Sequence, residues 1–295
     1  NSDSVPPMSR IEAARATGRI AEAQALGARA LSRTPDNDDL HLRLSTDLLA
    51  TASSVIAGNA LFERGVLQGH EQTLRAQAWA TPQLRIATEL QVFHQHTADP
   101  TALTGVPGTD RSITVSALVR HGLEAGDGET DIALGSRYGL AGFTTAHLRH
   151  TRLLTPRVTG TFALSLRERA TDTVPLQIAG HKDEASVALQ YGLSAREYLV
   201  TRLWSARLHS QQDSTLGTGQ GSYFEGGYRV RSEYPDFSVR IARTISHYEA
   251  GTNADTLIAN VVPTGGTATA SFFVPQSFRQ WSINAGFGTT LREDR

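Results

Sequence analysis

The connections between the apolar stretches of this chain alternate in kind, and that alternation constrains the fold more than any motif. From about residue 53 the sequence divides into runs of roughly 10–15 residues with a period of two, the mark of β-strands. The junctions at Thr81-Pro82, Ala125 to Asp127, Thr155-Pro156, Ala195 and Pro235 are tight, and all are even-numbered connections. The long polar junctions, 97–110, 171–182, 211–218 and 249–279, are the third, seventh, ninth and eleventh. In a series of hairpins, odd and even connections lie at opposite ends of the sheet. A soluble fold has no reason to sort its loops by parity. An up-and-down outer-membrane barrel does, with short turns on the periplasmic side and longer loops outside.

The strands expected from the pattern are 53–67, 70–80, 83–96, 111–123, 128–140, 142–154, 157–170, 183–194, 196–210, 219–234, 236–248 and 280–294. They are about twice the usual length of a sandwich strand and long enough to cross a bilayer when tilted. In Val158, Gly160, Phe162, Leu164 and Leu166 one face is almost wholly apolar, and Ile283 and Phe287 repeat this in the last strand. The expectation is that Val158, Phe162, Leu164, Ile283 and Phe287 face lipid. Arg85, Glu89, Arg120, Asp131, Arg157, Arg167, Arg240 and Asn284 fall on the opposite faces and are expected to line an aqueous lumen. Phe62, Trp79, Phe93, Tyr138, Phe143, Tyr198 and Trp204 lie near strand ends and suit interfacial girdles.

Composition narrows the class. Hydrophobic residues make up 39%, as expected where only alternate strand residues need be apolar. No stretch approaches the roughly 18 apolar residues of a membrane helix. There are no cysteines, which excludes disulfides and thiolate metal sites. With 28 basic and 29 acidic residues the chain lacks the basic excess of a nucleic-acid binder. His94-Gln-His96 puts two imidazoles on one strand face without further ligands nearby, and His147 and His150 lie on opposite faces. Gly217-Thr-Gly219-Gln-Gly221 precedes a strand rather than a helix, so it reads as a loop and not as a phosphate cradle. No Gly-x-Ser-x-Gly elbow occurs. The expectation is a protein without cofactor and without catalysis. A hydrolase assembled from Ser, His and Asp on different strands stays open, as does a barrel for protein secretion or small solutes.

Residues 9–34 carry Ala and Leu at helical spacing, broken at Gly18, and Asp38 to Thr51 reads as one more helix. Domains are therefore expected at 1–52, helical, and 53–295, barrel. Gly18, the small residues Ala23 and Ala30, and Pro35 after the second helix resemble the second half of a tetratricopeptide repeat, which departs from the family in lacking its large aromatic contact, with Gly27 in that neighbourhood.

A tetratricopeptide segment feeding an outer-membrane barrel is similar to the plan of synthase-dependent exopolysaccharide export porins. Ser271-Phe-Phe-Val-Pro-Gln-Ser-Phe278, followed by Arg279-Gln-Trp281-Ser-Ile-Asn-Ala-Gly286, resembles their late barrel motif, and among them that of the Pel exporters. The resemblance implies a sixteen-strand barrel in the bacterial outer membrane, about four strands after Arg295, and helical repeats in the periplasm. It implies a cationic amino-sugar polymer in transit during biofilm formation, a PelC-like lipoprotein ring and polymer-modifying enzymes as partners, and no nucleic acid. The lumenal arginines would repel such a polymer unless acids such as Glu89, Glu168 and Asp131 pair with them. Phe272, Phe273 and Phe278, in the long loop 249–279, are the expected gate.

Overall fold

The computed structural model describes residues 6–16, 20–81, 83–121, 128–231, 236–252, 255–263 and 265–288. The helix break at Gly18, the turn residues Pro82, Ala125 to Asp127 and Pro235, and the end of the last expected strand lie outside them. Three helices come first: α1 (Pro7–Ala16), α2 (Ile20–Arg33) and α3 (Asp38–Thr51). Ile11, Ala14, Ala23, Ala30 and Leu40 form the buried seam between them. Asn37 starts α3, its Oδ1 accepting from the Leu40 N–H at 3.0 Å. That bond satisfies one of the first-turn donors left open by the helix. At Gly27 the missing side chain admits Leu44 of α3, which a Cβ would meet at 3.2 Å.

Twelve strands follow: β1 (Ser54–Arg64), β2 (Leu67–Thr81), β3 (Leu84–Thr97), β4 (Thr109–His121), β5 (Gly128–Tyr138), β6 (Gly142–Thr155), β7 (Val158–Glu168), β8 (Gly180–Gly192), β9 (Glu197–Ser210), β10 (Thr215–Arg231), β11 (Phe237–Ala250) and β12 (Phe278–Phe287). Short helices interrupt them: α4 (Val174–Ala179) before β8, and α5 (Thr256–Ala259) and α6 (Ala270–Phe273) before β12. Every strand pairs antiparallel with its sequence neighbour in one sheet of order β1 to β12. The fold is thus mainly β and up-and-down, as the alternation requires. Among the described residues no ladder joins β1 to β12.

One expected loop is absent. The ninth connection is the tight turn 211–214, not 211–218, because β10 starts at Thr215. Gly217, Gly219 and Gly221 are inside the ladder, paired to Leu208, Ala206 and Trp204 on one side and to Ala250, Tyr248 and Ser246 on the other. At Gly219 and Gly221 the rings of Trp204 and Tyr248 supply the packing surface that glycine lacks, and at Gly217 Val274 does so, which keeps a weak strand former in the sheet. Among the described residues the long connections are therefore 98–108, 169–179 and 251–277, all at one end.

Residues opposite one another in a ladder share a face, so the pairing sorts the side chains. Leu74, Leu90 and Ile113 form one row, Phe162, Val187 and Leu203 another, Ile241 and Ile283 a third. Val158 and Leu164 fall on this same side through Tyr191 and Leu148. At Ile283 and Phe287 the side chains are 76% and 72% exposed. On the other side, Arg85, Leu118, Asp131, Arg149, Ala163, Ser186 and Trp204 run across seven strands. That side is concave. Leu67 of β2, Leu208 of β9 and Leu216 of β10 meet in one buried cluster, which strands so far apart reach only inside a curled sheet.

Arginine at position 162 should cost about 2–4 kcal/mol of stability in a bilayer, and arginine at the neighbouring position 163, on the concave side, much less. Urea unfolding of Phe162→Arg and Ala163→Arg in phospholipid vesicles measures both. Equal costs would show that the faces are inverted.

Candidate functional site: a charged lumen and its cap

At the end of the barrel that carries the tight turns, the concave wall is charged. Arg85, Arg120, Glu129, Asp131 and Arg149 surround a cleft of about 280 Å³. The Trp79 ring lies between two of these cations, with the Arg120 guanidinium 4.2 Å and that of Arg85 5.8 Å from its centroid. Further along, Glu89 faces Arg75 at 3.8 Å and accepts from Gln91 at 2.9 Å. Glu184 bridges Lys182, at 3.0 Å, and Arg202. The lumen is a mosaic in which carboxylates are interleaved with arginines, so its field is not uniformly repulsive to either sign. Arg240 and Asn284 face one another across β11 and β12 on the same side.

Two expected lumenal arginines are elsewhere. Arg157 sits in the turn between β6 and β7, where its carbonyl accepts from Gly192 N–H at 2.8 Å. Arg167 falls at a bulge with φ of 53°, which turns it out of the row toward Asp213 at 2.7 Å. The aromatic girdle is also revised. Phe62, Trp79, Phe93, Phe143, Tyr198 and Trp204 lie on the concave side, and Tyr138 on the convex one. Phe278 is the first residue of β12, paired with Ser246, rather than part of the loop.

At the other end the three long connections fold inward and close on one another. Leu103, Leu176, Ile178, Leu257, Ile258, Val261 and Phe273 form a fully or nearly fully buried core with Leu67, Leu208 and Leu216 of the wall. Phe272 packs against it, edge-on to Phe273 with centroids 5.2 Å apart. Polar bonds tie the segments together. Thr104 N–H donates to Val261 O at 3.1 Å, and Thr104 Oγ1 donates to Val262 O at 2.9 Å. Thr173 Oγ1 donates to Phe273 O at 2.6 Å, linking the start of α4 to α6. Asp255 starts α5 by accepting from Ile258 N–H at 3.0 Å, and it also accepts from the Ser210 hydroxyl. Burial alone would raise the Asp255 pKa, but these bonds outweigh it and hold the carboxyl below its usual range.

The cap is latched to the wall by a buried ion pair. Arg137 of β5 and Asp110 of β4 are each 2% exposed and joined at 2.5 Å. Arg137 Nη2 also donates to Gln177 O in α4 at 2.8 Å, and Arg64 at the end of β1 donates to the Gln177 side chain at 3.0 Å. Arg169 stacks on Phe93, 3.7 Å from its centroid, and reaches Asp110 at 3.5 Å. Burial, with Arg137 alongside, pulls Arg169 down to about 10 against the opposing Asp110, so it stays charged at neutral pH. Sequence reading missed this latch, because its members are spread from β1 to α4. Sequence reading also took α4 and α5 as loop, although Thr173 with a proline in the first turn and Asp255 before an apolar run are the signals that mark their starts.

The hydrolase alternative finds a partial match. His147 Nδ1 and Ser165 Oγ are 2.9 Å apart on the concave side. The carboxylate in that row, Glu184, lies beyond Ser165 rather than behind the imidazole. A base–nucleophile relay needs the acid on the histidine. His94 stacks on His70, with centroids 4.7 Å apart.

An antiparallel up-and-down sheet with a bare apolar exterior and a charged, capped interior defines an outer-membrane β-barrel pore. A family model described as PelB, C-terminal beta barrel domain, matches residues 49–295, and the chain belongs to that family. Among solved structures it is similar to the NanC porin in a rhombohedral crystal form, at 10% identity. That match covers 80% of this chain and 99% of the other, with a TM-score of 0.35. No curated protein matches it.

Replacing Asp110 by Ala should leave Arg137 and Arg169 as uncompensated buried cations, at a cost of about 3–5 kcal/mol borne by the cap. Limited trypsin digestion should then cut after Arg169 in a barrel that is otherwise intact. Acid should act on the other side of the cap. A depressed carboxyl contributes stability above its unfolded pKa and loses it as pH falls through the folded value. Segment 251–277 should therefore loosen below about pH 4, and Asp255→Asn should abolish that transition. Hydrogen exchange of Ile258 N–H against pH measures it.

Proposed function

We propose that this chain is the outer-membrane exit duct for a secreted exopolysaccharide of the Pel type, a partly deacetylated, cationic amino-sugar polymer of biofilm matrix. The family match is the observation that carries this reading, and the shape of the lumen supports it. The end with tight turns faces the periplasm and takes in the polymer. The capped end faces outside. The polymer is pushed from within, so the chain acts as a passive conduit and not as an enzyme. Glu89, Glu129, Asp131, Glu184 and Glu225 give an ammonium-bearing polymer partners among the arginines.

In this reading α1 to α3 are the last part of a periplasmic tetratricopeptide region. That region would bind polymer-modifying enzymes, and a PelC-like lipoprotein ring would sit below the barrel.

The cap is the gate. It has an apolar core that needs no polar partners, and two of its segments meet at Thr104 and Val261. The native sequence has no cysteine. A Thr104→Cys, Val261→Cys pair should therefore form a unique bridge that ties loop 98–108 to loop 251–277. Oxidised cells should retain polymer in the periplasm, and reductant should restore secretion. Deleting residues 252–276 should raise single-channel conductance. Secretion that persists through the oxidised bridge would remove the cap from the path, and unaltered secretion in cells lacking the chain would overturn the duct reading.

A further inference from the structure

We propose that the β9–β10–β11 wall of the lumen is a carbohydrate-stacking track, on which pyranose rings lie against Tyr198, Tyr223, Trp204 and Tyr248. The proposal rests on the duct reading above and says where in the lumen the sugar is held. Three of these rings stand directly opposite a glycine of β10: Tyr198 opposite Gly227, Trp204 opposite Gly221 and Tyr248 opposite Gly219. A Cβ at Gly221 would come within 2.6 Å of the Trp204 ring, one at Gly219 within 2.6 Å of Tyr248, and one at Gly227 would strike Tyr198. The rings thus rest on bare backbone of the wall. All four aromatic side chains remain half-exposed on the concave side.

The rings are also pinned. Glu225 accepts from the Tyr198 hydroxyl at 2.9 Å through one oxygen and from the Tyr223 hydroxyl through the other. Trp204 and Tyr248 pack against each other with centroids 5.7 Å apart. Side chains held in this way lose little further freedom when a ligand lies on them, which favours binding. From Gly219 to Gly227 the track covers about 27 Å of wall, at roughly 3.4 Å per residue. It rises from the tight-turn end to Tyr248, which packs against the cap core and whose N–H donates to Ser277 Oγ at 2.9 Å. Aromatic faces bordered by a few fixed polar groups are what a sugar requires: apolar C–H faces to stack and hydroxyls to bond. Glu225 beside the rings would add a counter-charge for an amino sugar.

If the rings served only to cover the glycines, any apolar side chain of similar bulk would do. The test therefore compares Phe with Leu. The full-length protein, folded in detergent, is titrated calorimetrically with a partly N-acetylated glucosamine hexasaccharide and with its fully acetylated, neutral counterpart. Tyr198→Leu and Tyr223→Leu should each raise Kd about tenfold for both sugars, while the Phe variants stay within about twofold. Glu225→Gln should weaken the charged sugar more than the neutral one. Should the Leu variants fail to fold, Trp204 emission in a Trp79→Phe, Trp281→Phe background decides, and it should shift on sugar binding. Unaltered Kd in the Leu variants, or an unmoved Trp204, overturns the track. Wild-type chain that secretes polymer in cells but binds neither hexasaccharide also overturns it and leaves the duct reading standing. Cells that secrete polymer without the chain overturn the duct reading itself.

Discussion

The backbone ladder is the constraint on which the rest depends. A bilayer offers no water to an open N–H or C=O, so each strand must bond its neighbours on both sides along its length. Here eleven ladders run without a crossover from β1 to β12. Once register is set, alternation follows, and a slip of one residue would move every charged side chain to the apolar face. The positions of Arg85, Asp131 and Glu89 inside, and of Phe162 and Ile283 outside, are consequences of that register rather than separate choices. The irregularities occur where the ladder gives way. The bulge at Arg167, near the loop end of β7, takes a charge out of the lumenal row and hands it to the rim.

Most of this fold was legible because the ladder imposes a period of two that survives in sequence. The strand pattern and the parity of the connections were read from that period, and a helix was expected at Asp38 to Thr51, where α3 lies. The failures share a cause. Gly217, Gly219 and Gly221 read as loop because glycine has no propensity of its own for a strand, and what packs on the last two is Trp204 and Tyr248 on other strands. The aromatic girdle was misplaced because position near a strand end says nothing about face when a ring packs sideways on glycine. The cap was visible only as loop length. Its core joins Leu103, Leu176 and Ile258, and no local pattern announces a contact between segments so distant in the chain.

The charged interior and the apolar cap place opposite demands on the same wall. At the open end, exposed ion pairs such as Glu89 with Arg75 are screened and weak, and they leave the lumen wet. At the closed end the same kind of pair is dry. Arg137 and Asp110 survive burial because the guanidinium also serves the Gln177 carbonyl, so the charges are held by a network rather than by each other alone. Ion pairs thus change from half-exposed to buried along one barrel axis.

The cap also sets an order of events for assembly. Thr104 and Asn260 bond across 156 residues, and Arg64 and Gln177 across 113. Contacts this remote carry a large closure entropy until the sheet has curled and brought the loops together. The apolar residues of the three loops therefore have no shelter in a half-inserted chain and gain it only when the strands between them are in place. Docking of the cap core thus follows curling of the sheet rather than preceding it. A half-formed sheet therefore carries these apolar loop residues as a sticky surface that only the finished fold buries.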